Sequence, residues 1–134
     1  MTRNRLAATL SSGIVLVSLL AGLVILGSPS QERARRIDEQ RLADLQQLSR
    51  AINAYFSAVE RLPNRLEEII DGRRVSNIPV DPESAEAYPY QVLGTERYRL
   101  CATFTRDAED EYQGDFWMHS AGRQCFDFTA VANR

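Results

Sequence analysis

The side chains best suited to chemistry in this chain are two cysteines and a single histidine. Cys101 and Cys125 flank His119 in the sequence. Thiolate sulfur and imidazole nitrogen are common zinc ligands, so these three residues define one conceivable metal site. A pair of cysteines is also typical of one disulfide formed in an oxidising compartment. We predict a Cys101–Cys125 disulfide with His119 as a surface residue, and two reduced, packed thiols are the alternative.

Carboxylates are the next candidates. An acidic stretch in the same region carries Asp107, Glu109, Asp110, Glu111 and Asp115. We predict an ordinary solvated loop and no metal site here, with calcium, which prefers oxygen ligands, as the alternative. Glu67 and Glu68 are interpreted as a helix cap and a surface pair. The sequence assembles no nucleophile, base and orienting group, so we predict a non-enzymatic protein without catalytic residues, cofactor or small-molecule substrate.

A cluster of arginines is the third candidate. It consists of Arg33, Arg35, Arg36 and Arg41. These guanidinium groups could contact anionic lipid headgroups or an acidic partner subunit. The alternative is pairing within one helix, with the neighbouring acids Glu32, Asp38 and Glu39. The formal net charge of −2 gives no reason to expect nucleic acid as a partner.

The segment ahead of this cluster is apolar, and residues 6–31 include no charged side chain. A helix over residues 6–27 would reach about 33 Å, enough to cross a bilayer core. We therefore predict a membrane anchor at 1–29 and one domain at 30–134, with a cleaved signal peptide as the alternative for the first segment. Gly13, Ser18 and Gly22 are interpreted as lining one helix face, where small residues allow close packing against other membrane subunits.

The cysteines also bear on where the domain lies. Arginines on both sides of the apolar segment leave its orientation ambiguous by charge alone. Because a disulfide needs an oxidising compartment, we predict a single-pass membrane protein whose C-terminal domain lies outside the cytoplasm. Its predicted partners are the lipid bilayer and other membrane protein subunits.

Periodicity assigns the elements of the domain. Ser28 and Gln31 have the spacing of a capping box, and apolar residues then recur every three or four positions, which predicts a helix over 30–60. A short second helix is predicted from Asn64 to about Gly72. Strands are predicted at 88–93, 97–104, 115–119 and 124–129. The predicted fold class is α+β, with a single N-terminal transmembrane helix, then a long amphipathic helix and a short helix packed on a small antiparallel sheet.

Alternation within the strands places both cysteines on one face of that sheet. Tyr98 and Leu100 point toward the helix, so Cys101 points away from it, and Cys125 points away from Phe126 in the same manner. A strict meander of four strands would put the third strand between the cysteines, at a separation too long for a disulfide. The bond therefore requires that the second and fourth strands are neighbours, or that one cysteine lies beyond a strand end.

Several strings of this sequence resemble the major pseudopilin of type II secretion and, more broadly, type IV pilin-like proteins. Residues 48–56 resemble the end of the long pilin helix, and residues 61–69 resemble the turn and short helix after it. Residues 78–82 (Ile-Pro-Val-Asp-Pro) and 88–90 (Tyr-Pro-Tyr) are similar to strings ahead of the pseudopilin sheet. The resemblance covers about residues 37–104 and implies a pilin-like fold. Pseudopilins hold calcium in a C-terminal loop, and this resemblance is what keeps calcium as the alternative for the acidic stretch.

The chain departs from that family near its N-terminus. Prepilins carry a glycine before the mature helix and a glutamate at the fifth mature position, whereas here Gly13 precedes Ile14 and Ser18 takes the fifth position. The prepilin peptidase signature is therefore absent. What the resemblance implies is an accessory or structural subunit of a larger envelope or membrane complex. It also implies a location in the bacterial inner membrane, with the C-terminal domain in the periplasm. A true pseudopilin or minor pilin, and a membrane-anchored binding module that uses calcium, are the alternatives.

Overall fold

The computed structural model describes residues 12–22, 28–70, 75–108 and 114–131. The chain divides into two compact units, Met1–Arg33 and Ala34–Arg134. In the first unit, residues 12–22 are helical. The elements that follow are a long helix, a short 3-10 helix and a three-stranded antiparallel sheet with a 3-10 turn before its last strand. The α+β part of the predicted fold class is therefore present.

The long helix, α1, spans Pro29–Val59 and begins at the predicted capping box. The Gln31 N–H donates to the Ser28 hydroxyl at 3.4 Å, and the Ser28 N–H donates to the side-chain oxygen of Gln31 at 3.5 Å. Pro29 fills the first helical position, where its missing N–H costs nothing. The predicted bounds of this helix are confirmed to within one residue at each end.

Three strands form the sheet in the order β1–β2–β3, with the bounds Tyr90–Val92, Arg97–Phe104 and Gly122–Thr129. β1 pairs antiparallel with β2, and β2 pairs antiparallel with β3. The register of the second pair sets Phe104 opposite Gly122. Gly122 opens β3 with a φ of 99°, a left-handed conformation that glycine adopts without steric cost.

The core lies between α1 and the inner face of the sheet. Leu45, Leu48 and Ile52 come from one stripe of α1, and they cluster with Tyr98 and Leu100 of β2. All five side chains are almost wholly removed from water. Burying one aliphatic side chain of this size stabilises a fold by about 1.5–3 kcal/mol. The predicted alternation along β2, with its even-numbered residues toward the helix, is confirmed.

One predicted strand is wrong, and the predicted second helix is present but short. Segment 115–119 is not a strand, because Asp115–Trp117 forms a 3-10 turn. There the rings of Phe116 and Trp117 pack on Phe126 and Phe128 of β3, at centroid distances between 5.0 and 6.0 Å. The second helix is a 3-10 helix of four residues, Leu66–Ile69, without a side-chain cap. Its predicted end near position 72 lies outside the described residues.

The largest correction concerns the N-terminal segment. In the part of the chain that the structure describes, no helix is both long and apolar enough to cross a membrane. As a helix, residues 12–22 reach only about 16 Å, and α1 is long but rich in charged side chains. The rest of the predicted anchor, at 1–11 and 23–27, lies outside the described residues. The predictions of a transmembrane helix, a membrane-centred protein and an inner-membrane location with a periplasmic domain are thus wrong.

Candidate functional site

A buried ion-pair cluster surrounds Arg41, whose side chain is 5% exposed. Asp81 accepts two hydrogen bonds from the guanidinium group, from Nε at 2.6 Å and from Nη2 at 3.1 Å. Nη1 donates to Asp38 at 3.0 Å and to the Thr105 hydroxyl at 3.2 Å, while Nη2 also donates to Glu83 at 3.0 Å. Each of the five N–H donors that a guanidinium group carries therefore has an acceptor.

The helical phase of α1 is what brings Arg41 into the interior. Arg41 precedes Leu45 by four residues and follows Asp38 by three, so both charged residues extend the buried stripe toward the start of the helix. Arg41 pairs with Asp38 within α1 at 3.0 Å, as the alternative interpretation of the arginine cluster expects, and its burial keeps it from contacting a lipid or a partner subunit. Its spacing within the apolar stripe is the sequence signal that identifies it as buried.

The two buried carboxylates also hold the backbone of neighbouring segments. Asp38 accepts the N–H groups of the two residues that follow β2, each at 2.9 Å. Asp81 accepts the N–H groups of Glu83 and Ser84 at 2.9 and 3.0 Å. Through Arg41, the cluster therefore joins α1 to the end of β2 and to the turn that starts at Asp81.

Arg41 also sets the protonation of its partner. Hydrogen bonding to Arg41 holds the pKa of Asp81 well below its usual range, although burial alone would raise that pKa. In return, the bond to Asp81 raises the pKa of Arg41 against the opposing effect of its burial. Both groups are thus ionised throughout the neutral range. Charges that stay fixed in this way are suited to holding elements together.

The depressed pKa of Asp81 leads to a prediction about acid. A carboxylate of this kind stabilises the fold above its unfolded pKa of about 3.9, and the contribution is lost as the pH falls toward the folded pKa. We expect a loss on the order of 2 kcal/mol between about pH 4 and about pH 2. Urea unfolding across this range measures the loss. The Asp81→Asn variant should lack this part of the pH dependence, and an unchanged dependence in that variant contradicts the assignment.

A second set of polar contacts lies about one turn further along α1. The Tyr88 hydroxyl and the Gln40 amide each donate to one oxygen of Asp44, both at 2.8 Å. Burial, together with the bond to Asp44, raises the pKa of Tyr88. The Tyr90 hydroxyl donates to the Pro63 carbonyl at 2.8 Å, and burial raises the pKa of Tyr90 to about 12. These tyrosines therefore stay protonated and connect the sheet region to α1 and to the segment after it.

The predicted disulfide is confirmed, and the strand order explains it. Cys101 and Cys125 face each other across β2 and β3 with their Cα atoms 4.1 Å apart. The Cys101 N–H donates to the Pro89 carbonyl on the opposite side of β2, so the cysteines form a non-hydrogen-bonded pair, the closer of the two types. Because 115–119 is not a strand, the strands that carry the cysteines are neighbours. Of the two arrangements that would allow the bond, the structure therefore has the one in which the second and fourth predicted strands are neighbours.

The outer face of the sheet is polar around the disulfide. Arg99 donates two hydrogen bonds to Asp127, directly opposite on β3, at 2.6 and 2.9 Å. A pocket of about 320 Å³ lies beside the cysteines, and its lining includes Arg41, Asp81 and Arg123. The first two are already paired with each other, and Arg123 is exposed. The pocket therefore presents no buried, unpaired polar group to a ligand.

His119 and the cysteines do not come together as a zinc site. The His119 ring stacks on Phe104 at a centroid distance of 3.6 Å, and Phe104 belongs to the helix-facing side of β2. Both sulfur atoms are engaged in the disulfide on the other face. The Nδ1 atom of His119 is buried without a hydrogen-bond partner. Within the described ranges, no group of three or more His, Cys, Asp or Glu side chains could hold a metal ion.

The acidic stretch is described only in part. Glu109, Asp110 and Glu111 lie outside the described residues. An oxygen of Asp107 accepts the Ala121 N–H at 2.8 Å, which joins the two ends of the connection between β2 and β3. Asp115 opens the 3-10 turn. Calcium binding by these residues stays an untested alternative to the predicted solvated loop.

The other arginines of the predicted cluster are exposed near the start of α1. Arg33, Arg35 and Arg36 all face solvent. Within the helix, Arg35 pairs with Glu39 at 2.9 Å, as the alternative reading of the cluster expects. A contact of these three arginines with a lipid headgroup or a partner subunit stays a prediction.

The small residues of segment 12–22 do not share one face. Gly22 follows Gly13 by nine positions, which places them on opposite sides of an α-helix. Ser18 and Gly22 lie on the same side, and the Ser18 hydroxyl donates to the Ile14 carbonyl at 2.9 Å. A Cβ atom added at either glycine would meet nothing within 4 Å. Ser18 and Gly22 can therefore line one packing surface together, as predicted, whereas Gly13 lies on the other side of the helix.

Comparison with known proteins assigns this chain to no family. No protein-family model, curated protein or solved structure matches it. The contacts and exposed surfaces of its own residues are thus the basis for a functional proposal.

Proposed function

We propose that this protein is a non-enzymatic structural or accessory subunit of a larger protein assembly, built on a pilin-like domain. The observation that carries the proposal is the apolar surface of segment 12–22. Six large aliphatic side chains in this segment are each more than half exposed: Ile14, Val15, Leu16, Val17, Leu19 and Leu20.

An apolar surface of this kind is unfavourable in water. Removing one such side chain from water is worth about 1.5–3 kcal/mol. A helix that is apolar on all sides is typical of a helix covered by other elements, and segment 12–22 contains no charged residue. Helices contributed by neighbouring subunits are the cover that we propose.

The shape of the segment supports close packing by another helix. A groove of about 300 Å³ runs between Ser12, Val15, Leu16 and Leu19. Side chains of a neighbouring helix can enter a groove of this kind, as ridges enter grooves in helix packing generally. The Ser18 hydroxyl is already bonded within its own helix, so covering it leaves no donor without a partner.

The second unit supports the pilin-like part of the proposal. α1, the 3-10 helix and the antiparallel strands follow one another in the order that the resemblance implies. Asp81 belongs to the string at 78–82 that resembles pseudopilins, and it holds α1 through Arg41. This string therefore has a structural task, which is to fasten the loop before the sheet to the long helix.

Photo-crosslinking in the cells that make the protein tests the proposal. A photoreactive residue placed at Leu16 or Leu19, in the groove of segment 12–22, is expected to form an adduct with one discrete protein chain. The matched control position is Gln47, which is exposed on α1. Crosslinking to protein at Leu16 and Leu19 that does not exceed the level at Gln47 would contradict the proposal.

A further inference from the structure

The outer edge of β3 carries backbone groups without a partner. Cys101 and Cys125 form a non-hydrogen-bonded pair, so the N–H and C=O groups of Cys125 point away from β2. The backbone N–H and C=O groups of Arg123 and Asp127, two positions away on either side, also point away from β2. No other residue in the described part of the chain donates to or accepts from these backbone groups.

The opposite edge of the sheet is shielded in ways that β3 is not. β1 has three residues, and Pro89, which has no N–H, comes directly before it. β3 has eight residues and contains no proline. Short strands and prolines are common edge protections, because a free edge is a template for another strand. The β3 edge is therefore the one that is open to pairing.

The charges along β3 indicate which strand fits this edge. Arg123 and Asp127 lie on one face, at equal distances on either side of Cys125. If two copies of β3 pair antiparallel about Cys125, each Arg123 lies directly opposite an Asp127. Shifting the centre of pairing by two residues would instead set Arg123 opposite Arg123, or Asp127 opposite Asp127. The charge-matched register is thus centred on Cys125.

We propose that two copies of this chain form a two-fold symmetric dimer in which their β3 strands pair antiparallel in this register. Each copy then contributes the same surface to the interface, as a closed two-fold interface requires. Six strands would form one continuous sheet across the dimer. The inference goes beyond the proposed subunit role and rests on residues of the second unit alone.

The side chains at this edge are available for the pairing. Arg123 is exposed and makes no hydrogen bond or ion pair with a described residue. Asp127 already accepts two bonds from Arg99 of its own chain. A carboxylate has about four acceptor positions, so Asp127 can also accept from Arg123 of the partner subunit. Opposite charges directly across two antiparallel strands stabilise their pairing.

Amide hydrogen exchange of the full chain, followed residue by residue by NMR at increasing concentration, tests the inference without any substitution. The amides of Arg123, Cys125 and Asp127 become hydrogen-bonded in the dimer. We expect their exchange to slow by about tenfold or more between dilute and concentrated samples. The amides of Gln124 and Phe126 point toward β2 and should be protected in both samples.

A charge reversal provides the second measurement. Arg123→Asp converts both cross-strand attractions into repulsions, so the dimer Kd from sedimentation equilibrium should rise by about tenfold or more. Arg50→Asp makes the same charge change at an exposed position of α1, outside the sheet, and should change Kd by less than about threefold. Far-UV circular dichroism checks that both variants are folded.

Three results would each overturn the inference. The first is a chain that remains monomeric up to about 1 mM. The second is a dimer in which the amides of Arg123, Cys125 and Asp127 exchange as fast as in the monomer. The third is an equal Kd for the wild-type chain and Arg123→Asp. Association through segment 12–22 would produce the last two results, so this inference and the proposed function can fail independently.

Discussion

Replacing Arg41 with methionine is expected to lower the free energy of unfolding by about 3–5 kcal/mol. The variant keeps a side chain of similar length but leaves Asp38 and Asp81 buried without a cation. Carboxylates that have lost their water and their partner destabilise the folded state far more than loss of a surface ion pair does. Chemical denaturation of the wild-type chain and the variant at neutral pH measures the difference.

Arg35→Met is the matched control, because it removes an arginine from the same helix. Arg35 is 53% exposed and its pair with Glu39 is also exposed, so the expected cost is below about 0.5 kcal/mol. Arg41→Lys keeps the charge but cannot reproduce the two-point contact with Asp81, and it should recover only part of the stability. Equal costs for Arg41→Met and Arg35→Met would show that the cluster does not hold the fold.

Removing the disulfide has the second large expected effect. Cys101 and Cys125 are separated by 24 positions, and opening a loop of this length adds conformational entropy to the unfolded chain. The expected loss is about 3–4 kcal/mol in the double variant Cys101→Ala and Cys125→Ala. A small domain buries a modest share of its surface, so this loss is a large part of its net stability. Denaturant unfolding under non-reducing conditions measures it.

The reductant dependence of unfolding supplies the control for this prediction. Reduction of the wild-type chain should produce nearly the same loss as the double variant, since both open the same loop. The double variant itself should be insensitive to reductant, because the chain contains no other cysteine. A wild-type chain whose stability is unchanged by complete reduction would contradict the prediction.

Local signals in the sequence predicted much of this fold. The capping box at Ser28 and Gln31 and the three-four spacing after it located α1, because both depend on hydrogen bonds and side chains a few positions apart. Alternation along 97–104 identified which side chains of β2 face the core. It also placed both cysteines on the outer face, where the disulfide forms.

Features that depend on distant partners were predicted less well. Segment 115–119 has the composition of a strand, but it forms a 3-10 turn whose Phe116 and Trp117 rings pack on β3. Hydrophobic periodicity over five residues cannot distinguish a strand from such a turn. Arg41 is buried with compensating charge from Asp81, forty positions away, in addition to Asp38 on its own helix. The string around Asp81 resembled pseudopilins, yet its role in the cluster depends on the folded geometry.

The apolar N-terminal segment is where composition was most misleading. A long uncharged run predicts a membrane-spanning helix, whereas the described residues include no helix that meets the requirements of length and hydropathy together. What the described part does present is exposed aliphatic surface at 12–22. We propose that other protein chains of the assembly cover this surface.

The most direct test of the proposed subunit role is the native mass of the particle that contains the protein, purified under non-reducing conditions from the cells that make it. The chain alone has a mass of 15.1 kDa. We expect a discrete particle of several chains in fixed ratio, with the Cys101–Cys125 bond closed. Recovery of folded, disulfide-closed chains only as 15.1 kDa monomers, or only as two-chain particles that Arg123→Asp separates, would contradict the proposal that the protein acts as a subunit of a larger assembly.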